Sequence, residues 1–162
     1  MKNNKKGFTL IELLAVIVIL AILVMLAIPA VTRYLTTARK SAFSDNALRA
    51  VEAVRNDIVT AGFSADTTGL SGTTKRSCNG STCTYNKEAI DELLENKFGN
   101  SSFGNPYTCL GIIVDRVNNT YTMSMVDGGK NGFVSVTADN IKEDAVVIGT
   151  METACPTGLS VS

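Results

Sequence analysis

Residues 8–31 read FTLIELLAVIVILAILVMLAIPAV, and 21 of these 24 side chains are hydrophobic. A run of this kind admits few fates. As a helix rising ~1.5 Å per residue it covers the ~30 Å hydrocarbon core of a bilayer, and its sole ionisable residue is Glu12. Residues 32–162 hold 51 hydrophobic residues of 131, which suits a domain with a core of its own. One membrane-inserting helix followed by one soluble domain is the expected organisation. Lys2, Lys5 and Lys6 precede the run and the next basic residue is Arg33. The positive-inside bias therefore keeps the N-terminus cytoplasmic and sends the remainder out.

Ordinary signal cleavage is disfavoured, because Pro29 sits inside the small-residue stretch Ala27-Ile28-Pro29-Ala30. A plain anchor is disfavoured by two residues. Glu12 places a carboxylate in the span, at a cost of about 2–3 kcal/mol at bilayer depth and less near the interface. Pro29 removes the hydrogen bond to the Met25 carbonyl and costs ~3 kcal/mol unless the helix kinks or opens. Both penalties imply that lipid is not the only environment this helix serves.

The run Lys5-Lys6-Gly7-Phe8-Thr9-Leu10-Ile11-Glu12-Leu13-Leu14 closely resembles the N-terminus of type IV pilins and pseudopilins. The resemblance covers residues 1–31. It implies that residues 1–7 are a leader, that a membrane prepilin peptidase cuts between Gly7 and Phe8, and that the same enzyme N-methylates Phe8. It places the family's assembly carboxylate at Glu12 and its helix-perturbing proline at Pro29. The chemistry agrees: cleavage would create an α-ammonium on Phe8, and Glu12 of a neighbouring subunit could pair with it, offsetting the cost of burying either charge alone.

Residues 8–31 would then be a transmembrane and polymerisation helix. Phe43, Ala47, Val51, Val54, Ile58 and Ala61 recur at helical spacing, so residues 32–61 read as an amphipathic continuation that ends before Gly62. That makes one helix of about 54 residues, roughly 80 Å long. Residues 62–162 form the head. Its first stretch, GFSADTTGLSGTTKRSCNGSTC, reads as an irregular loop. A short helix follows, capped by Asn86 and ended by Gly99, with Ala89, Ile90, Leu93 and Leu94 on its apolar face. Residues 109–117, 121–126, 133–137 and 145–148 read as strands, with Tyr121, Met123 and Met125 alternating inward. The fold class expected is α+β: a long helix packed on a small antiparallel sheet, which is also the head architecture of the resembled family.

Cys78, Cys83, Cys109 and Cys155 all lie in the head, as two disulfides of an exported domain would require. Three pairings are possible. Cys78 and Cys83 flank a flexible Asn-Gly-Ser-Thr that could close a local loop, leaving Cys109 with Cys155, and this pairing is favoured. A Cys109–Cys155 link resembles the family's C-terminal disulfide-bounded region, although many members use a shorter span.

The chain has no His, which removes imidazole as base, nucleophile activator or metal ligand. No nucleophile motif or convergent acidic cluster is evident, so no catalytic residue, cofactor or metal is expected. Asp127-Gly-Gly-Lys-Asn-Gly132 lacks the ligands of a calcium loop, having Gly129 at its third position and Ala138 at its twelfth. Fifteen basic residues balance 15 acidic ones, and loss of Lys2, Lys5 and Lys6 leaves 12 against 15, or −3. Nucleic acid is accordingly a disfavoured partner.

The function expected is a structural pilus subunit, held in the cytoplasmic membrane and then assembled with copies of itself by the pilus machinery into a surface filament for adhesion, aggregation or motility. The alternative is a minor pilin or pseudopilin of a DNA-uptake or type II secretion system, with a ligand-binding head.

Overall fold

The computed structural model describes residues 7–61, 76–151 and 154–161. They fall into two compact units, Met1–Ala38 and Arg39–Ser162.

Helix α1 spans Leu10–Ala61. From Leu13 to Ile28 it is apolar on every face, and each described residue from Gly7 to Ala38 is exposed. A helix hydrophobic all round needs lipid or other helices as its surroundings; this one is long and apolar enough to cross a membrane. The helix starts two residues later than the apolar pattern alone suggests, because Thr9 caps it.

In the second unit α1 becomes one-sided. Phe43, Ala47, Ala50, Val51 and Val54 are buried and Ile58 packs against the same core. They rest on one face of a five-stranded antiparallel sheet in the order β1-β2-β3-β4-β5: β1 Arg76–Asn79, β2 Thr82–Asn86, β3 Tyr107–Asp115, β4 Thr120–Asp127 and β5 Gly132–Thr137. Tyr85, Leu110, Ile112, Val114, Tyr121, Met123, Met125 and Phe133 supply the sheet's share of this core. Phe43 is the centre of an aromatic cluster, with ring centroids 5.9 Å from Phe103, 6.0 Å from Tyr107 and 6.0 Å from Phe133. The loop that carries Phe103 is hooked to the helix by the Ser102 hydroxyl, which donates to the Arg39 carbonyl at 2.7 Å.

Three further expectations are corrected. Residues 62–75 of the expected loop lie outside the described residues, but its end is the hairpin β1–β2. Cys78 and Cys83 face each other across this hairpin, and Gly80, at φ +60°, opens its two-residue turn. Its Ser, Thr and Asn positions carry no hydrophobic alternation, so the pattern was silent. Helix α2, Lys87–Leu93, is capped by Asn86, whose Oδ1 accepts from the Ala89 amide at 3.0 Å. It ends well before Gly99, because the Asp91 carboxylate accepts from the Phe98 amide and turns the chain. Residues 145–148 are not a strand of the sheet. There Val146 is buried, and Val147 exchanges one pair of hydrogen bonds with Gly132 as an isolated bridge.

The other face of the sheet carries a smaller core of Cys109, Val126 and Leu159, which the C-terminal segment covers. Where β2 leaves the edge of β3 to enter α2, this segment takes its place. The Leu110 amide donates to the Leu159 carbonyl at 3.1 Å, and the Val161 amide to the Thr108 carbonyl at 3.0 Å. Gly111 makes the approach possible: a Cβ there would lie 2.2 Å from Leu159 Cδ2 and 2.5 Å from the Tyr85 carbonyl oxygen.

Candidate functional site

The N-terminal end of α1 gathers the residues the sequence singles out. Gly7, Phe8 and Thr9 precede the helix in non-helical conformation, with Phe8 solvent-facing, so the Gly7–Phe8 peptide bond is outside any hydrogen-bonded element. Thr9 and Glu12 then form a reciprocal cap. Glu12 Oε2 accepts from the Thr9 amide at 2.8 Å and from Thr9 Oγ1 at 2.7 Å, while the Glu12 amide donates to Thr9 Oγ1 at 3.3 Å. The first helical bond runs from the Leu13 amide to the Thr9 carbonyl at 3.2 Å.

A Thr-x-x-Glu cap satisfies two amides that the first turn would otherwise leave without acceptors. In an apolar surrounding that matters more than in water, since an unmade hydrogen bond there has no solvent to replace it. A carboxylate in the first turn also opposes the positive end of the helix dipole. Oε1 has no partner among the described residues. Among the described residues the anion is therefore held by one oxygen alone. Sequence reasoning singled out Glu12 but missed Thr9, whose signal was the spacing of threonine and glutamate just before an apolar run.

Pro29 lies within α1, nine residues before the unit boundary at Ala38. Close beyond it, Thr32 Oγ1 donates to the carbonyls of Ile28 and Pro29, both at 3.1 Å, and Thr36 Oγ1 to that of Thr32 at 2.9 Å. These hydroxyls are satisfied within the helix, by bonds that slightly weaken its own ladder. Glu12 and Pro29 are thus separate features of the helix and do not form one site.

In the head, disulfides join Cys78 to Cys83 and Cys109 to Cys155, and no described cysteine is free. Asp127, which sequence reasoning left in a Gly-rich turn, is an almost fully buried hub. It accepts from Ser101 Oγ, from the Gly129 amide at 2.9 Å and from the Asn131 amide at 3.0 Å. Asn131 Nδ2 donates to both its oxygens, at 2.9 and 3.1 Å. Burial pushes this carboxyl up, but the donors from Ser101 and Asn131 outweigh it and hold it below the ordinary carboxylate range. Its oxygens face N–H and O–H donors, as an anion's should and a cation site's should not. Among the described residues no group of His, Cys, Asp or Glu is placed to hold a metal ion.

A second polar cluster ties the hairpin to α1. Arg76 Nη1 donates to Asp57 Oδ2 at 2.6 Å, and the Tyr85 hydroxyl donates to the same oxygen at 2.8 Å. Burial, with the nearby Asp57 carboxylate adding to it and Arg76 opposing, pushes the Tyr85 phenol up to about 12.

Residues 2–28 match the model of the prokaryotic N-terminal methylation motif. That motif is the class III signal of type IV pilins and pseudopilins, and it contains Gly7, Phe8 and Glu12. With the long apolar helix and the small antiparallel sheet, the architecture is pilin-like. Neither a curated protein nor a solved structure matches the chain. The motif match ends at residue 28 and so describes the signal and the apolar helix, not the head.

Proposed function

We propose that the protein is a filament-forming type IV pilin subunit, cut between Gly7 and Phe8, N-methylated on Phe8, and assembled from the membrane into a surface fibre of its own copies. The observation that carries this reading is the half-used carboxylate of Glu12. Its Oε2 is committed to Thr9 and its Oε1 has no partner among the described residues, at the start of a long apolar run.

The mechanism follows from that arrangement. In the membrane, Thr9 supplies Glu12 with two hydrogen bonds and lets the carboxylate wait in a poorly solvating place. Cleavage leaves an ammonium on Phe8, four residues from Glu12. A neighbouring subunit's ammonium on the open oxygen neutralises both charges, and a charge-assisted bond of this kind is about twice as strong as a neutral one. The register of one helix against the next is set by that pair, as buried polar partners fix register in other helix assemblies. The apolar faces of successive helices then close around it. A contact of this kind, head-to-tail and not closing on itself, builds a filament.

Glu12→Leu tests it. The variant should be processed and found in the membrane, with surface fibres reduced at least tenfold in shear fractions. Mass spectrometry of wild-type fibres should give an N-terminus at methylated Phe8. Fibres of normal abundance built from Glu12→Leu protein would refute the assignment. An abundant fibre subunit favours the pilin over the minor-pilin and pseudopilin alternatives.

A further inference from the structure

Cutting a peptide bond has a conformational requirement. Proteolysis concentrates where backbone is exposed and free of secondary-structure hydrogen bonds. In a helix each amide pairs with the carbonyl four residues back. If α1 began two residues earlier, the Ile11 amide would take the Gly7 carbonyl and the Glu12 amide that of Phe8. The first of these is the carbonyl of the Gly7–Phe8 bond itself. Among the described residues neither carbonyl accepts a backbone amide, and the first helical bond runs from Leu13 to Thr9.

Thr9 sets that limit. Its Oγ1 accepts from the Glu12 amide at 3.3 Å, and this amide is the donor that the next helical bond toward the N-terminus would need. The Thr9 amide is held in turn by Glu12 Oε2 at 2.8 Å. A hydroxyl that accepts from the third amide beyond it, on a residue that is itself non-helical, is an N-cap. Phe8, Leu10 and Ile11 carry no such acceptor, so without Thr9 the apolar sequence has no capping side chain between Gly7 and Glu12.

We propose that Thr9 is a positioning residue for leader removal: its N-cap ends the helix two residues beyond Phe8 and so presents the Gly7–Phe8 bond, unpaired and exposed, to a membrane prepilin peptidase. Which bond is cut rests on the reading above, and the cap adds how this chain makes it available. Hydrolysis adds one water across the amide, leaving a carboxylate on Gly7 and an ammonium on Phe8. The motif match over residues 2–28 independently supports an enzyme acting at this end of the chain. The cap does not need the Glu12 carboxylate, because Oγ1 accepts from a main-chain amide that any residue but proline supplies. Glu12→Leu therefore stays processed. Loss of the hydroxyl slows leader removal about fivefold and does not abolish it, so the mature subunit of a Thr9 variant still accumulates.

The test separates the cap from the shape of the side chain. Thr9→Val keeps the shape and loses the acceptor, whereas Thr9→Gly loses the shape and keeps most of the N-cap preference, and Thr9→Asn is a strong cap. The full-length chain would be produced together with a prepilin peptidase, and loss of residues 1–7 from the membrane fraction followed by intact mass after a pulse of synthesis. Thr9→Val should be cut about fivefold more slowly than wild type, and Thr9→Gly, Thr9→Asn and Glu12→Leu within about twofold of it. A peptidase that reads threonine by shape gives the reverse order, with valine fast and glycine slow, and that order would overturn the proposal. Equal rates in all variants would overturn it too, as would slow cutting of the glycine and asparagine variants alike. A wild-type chain left uncut between Gly7 and Phe8 contradicts the proposed function itself. A wild-type chain cut there no faster than Thr9→Val contradicts only the cap.

Discussion

Removing the two disulfides one at a time should destabilise the head unequally, by an amount set by the loops they close. Cys78 and Cys83 are 5 residues apart and Cys109 and Cys155 are 46 apart. The chain-entropy relation gives about 2 kcal/mol for the short loop and about 4 kcal/mol for the long one. Packing losses on Cys→Ala replacement are comparable, since Cys83 and Cys109 are each 3 % exposed, so the difference of about 2 kcal/mol should survive. A local consequence follows from the tail. Without Cys109–Cys155, residues 156–161 are held by burial of Leu159, about 2 kcal/mol, by the partly buried Val161, about 1 kcal/mol, and by two backbone hydrogen bonds at about 1 kcal/mol each. Ordering six residues costs more than that, at about 1–2 kcal/mol apiece. The tail should therefore detach in Cys109→Ala/Cys155→Ala and stay in place in Cys78→Ala/Cys83→Ala. The assay is denaturant unfolding of the full chain in detergent, followed by near-ultraviolet circular dichroism. Three of the four tyrosines, Tyr85, Tyr107 and Tyr121, are buried in the head and report it. Hydrogen exchange at the Leu110 and Val161 amides reads the tail. Equal losses from the two pairs, or protection of both amides without Cys109–Cys155, would refute the reasoning.

Phe43→Ala empties the centre of the aromatic cluster and should cost about 3–5 kcal/mol, lowering the melting temperature of the head by ~10 °C or more; a loss under about 1 kcal/mol would mean the helix is not seated by this ring. Gly111→Ala should strain the head by about 1–3 kcal/mol and free the tail, seen as faster exchange at Leu110. The Asp127 carboxyl is held below its ordinary value in the folded head, so its contribution is present above the unfolded carboxyl's pKa and lost as pH falls through the folded one. Below about pH 4 the unfolding midpoint should fall more steeply in the wild type than in Asp127→Asn, and parallel curves would exclude Asp127 as the cause.

Legibility in the sequence tracked how each element is stabilised. The apolar run, the one-sided face from Phe43 to Val54 and the alternation of Tyr121, Met123 and Met125 were readable, because each buries side chains at the period of its backbone. The hairpin at Cys78 was not, because its pairing rests on a cross-strand link and on Tyr85, with Ser, Thr and Asn between them. Asp127 looked like one more turn residue, since its donors come from residue 101 as well as from its own turn, and contacts 26 residues apart leave no local pattern. The bulge in β5 was hidden for a similar reason. Ser135 takes φ +55°, a conformation a serine rarely adopts, and its amide is accepted by the hydroxyl of buried Ser124 on the neighbouring strand.

On the proposed filament reading, Thr9 would let one short motif serve two states. The same threonine that starts the helix also occupies one oxygen of Glu12, so the carboxylate is half satisfied before any partner arrives. A fully unsatisfied anion would resist entering the bilayer, and one satisfied on both oxygens would have little left for an incoming ammonium. Thr9→Val separates these effects: it deletes both bonds of the hydroxyl, the one it donates to Glu12 Oε2 and the one it accepts from the Glu12 amide, and retains the bond from the Thr9 amide to Oε2. The carboxylate should lose part of its support, while the pairing proposed between Phe8 and Glu12 keeps both of its charged groups. If the assembly contact rests on Oε1 alone, Thr9→Val should leave fibres in place where Glu12→Leu removes them.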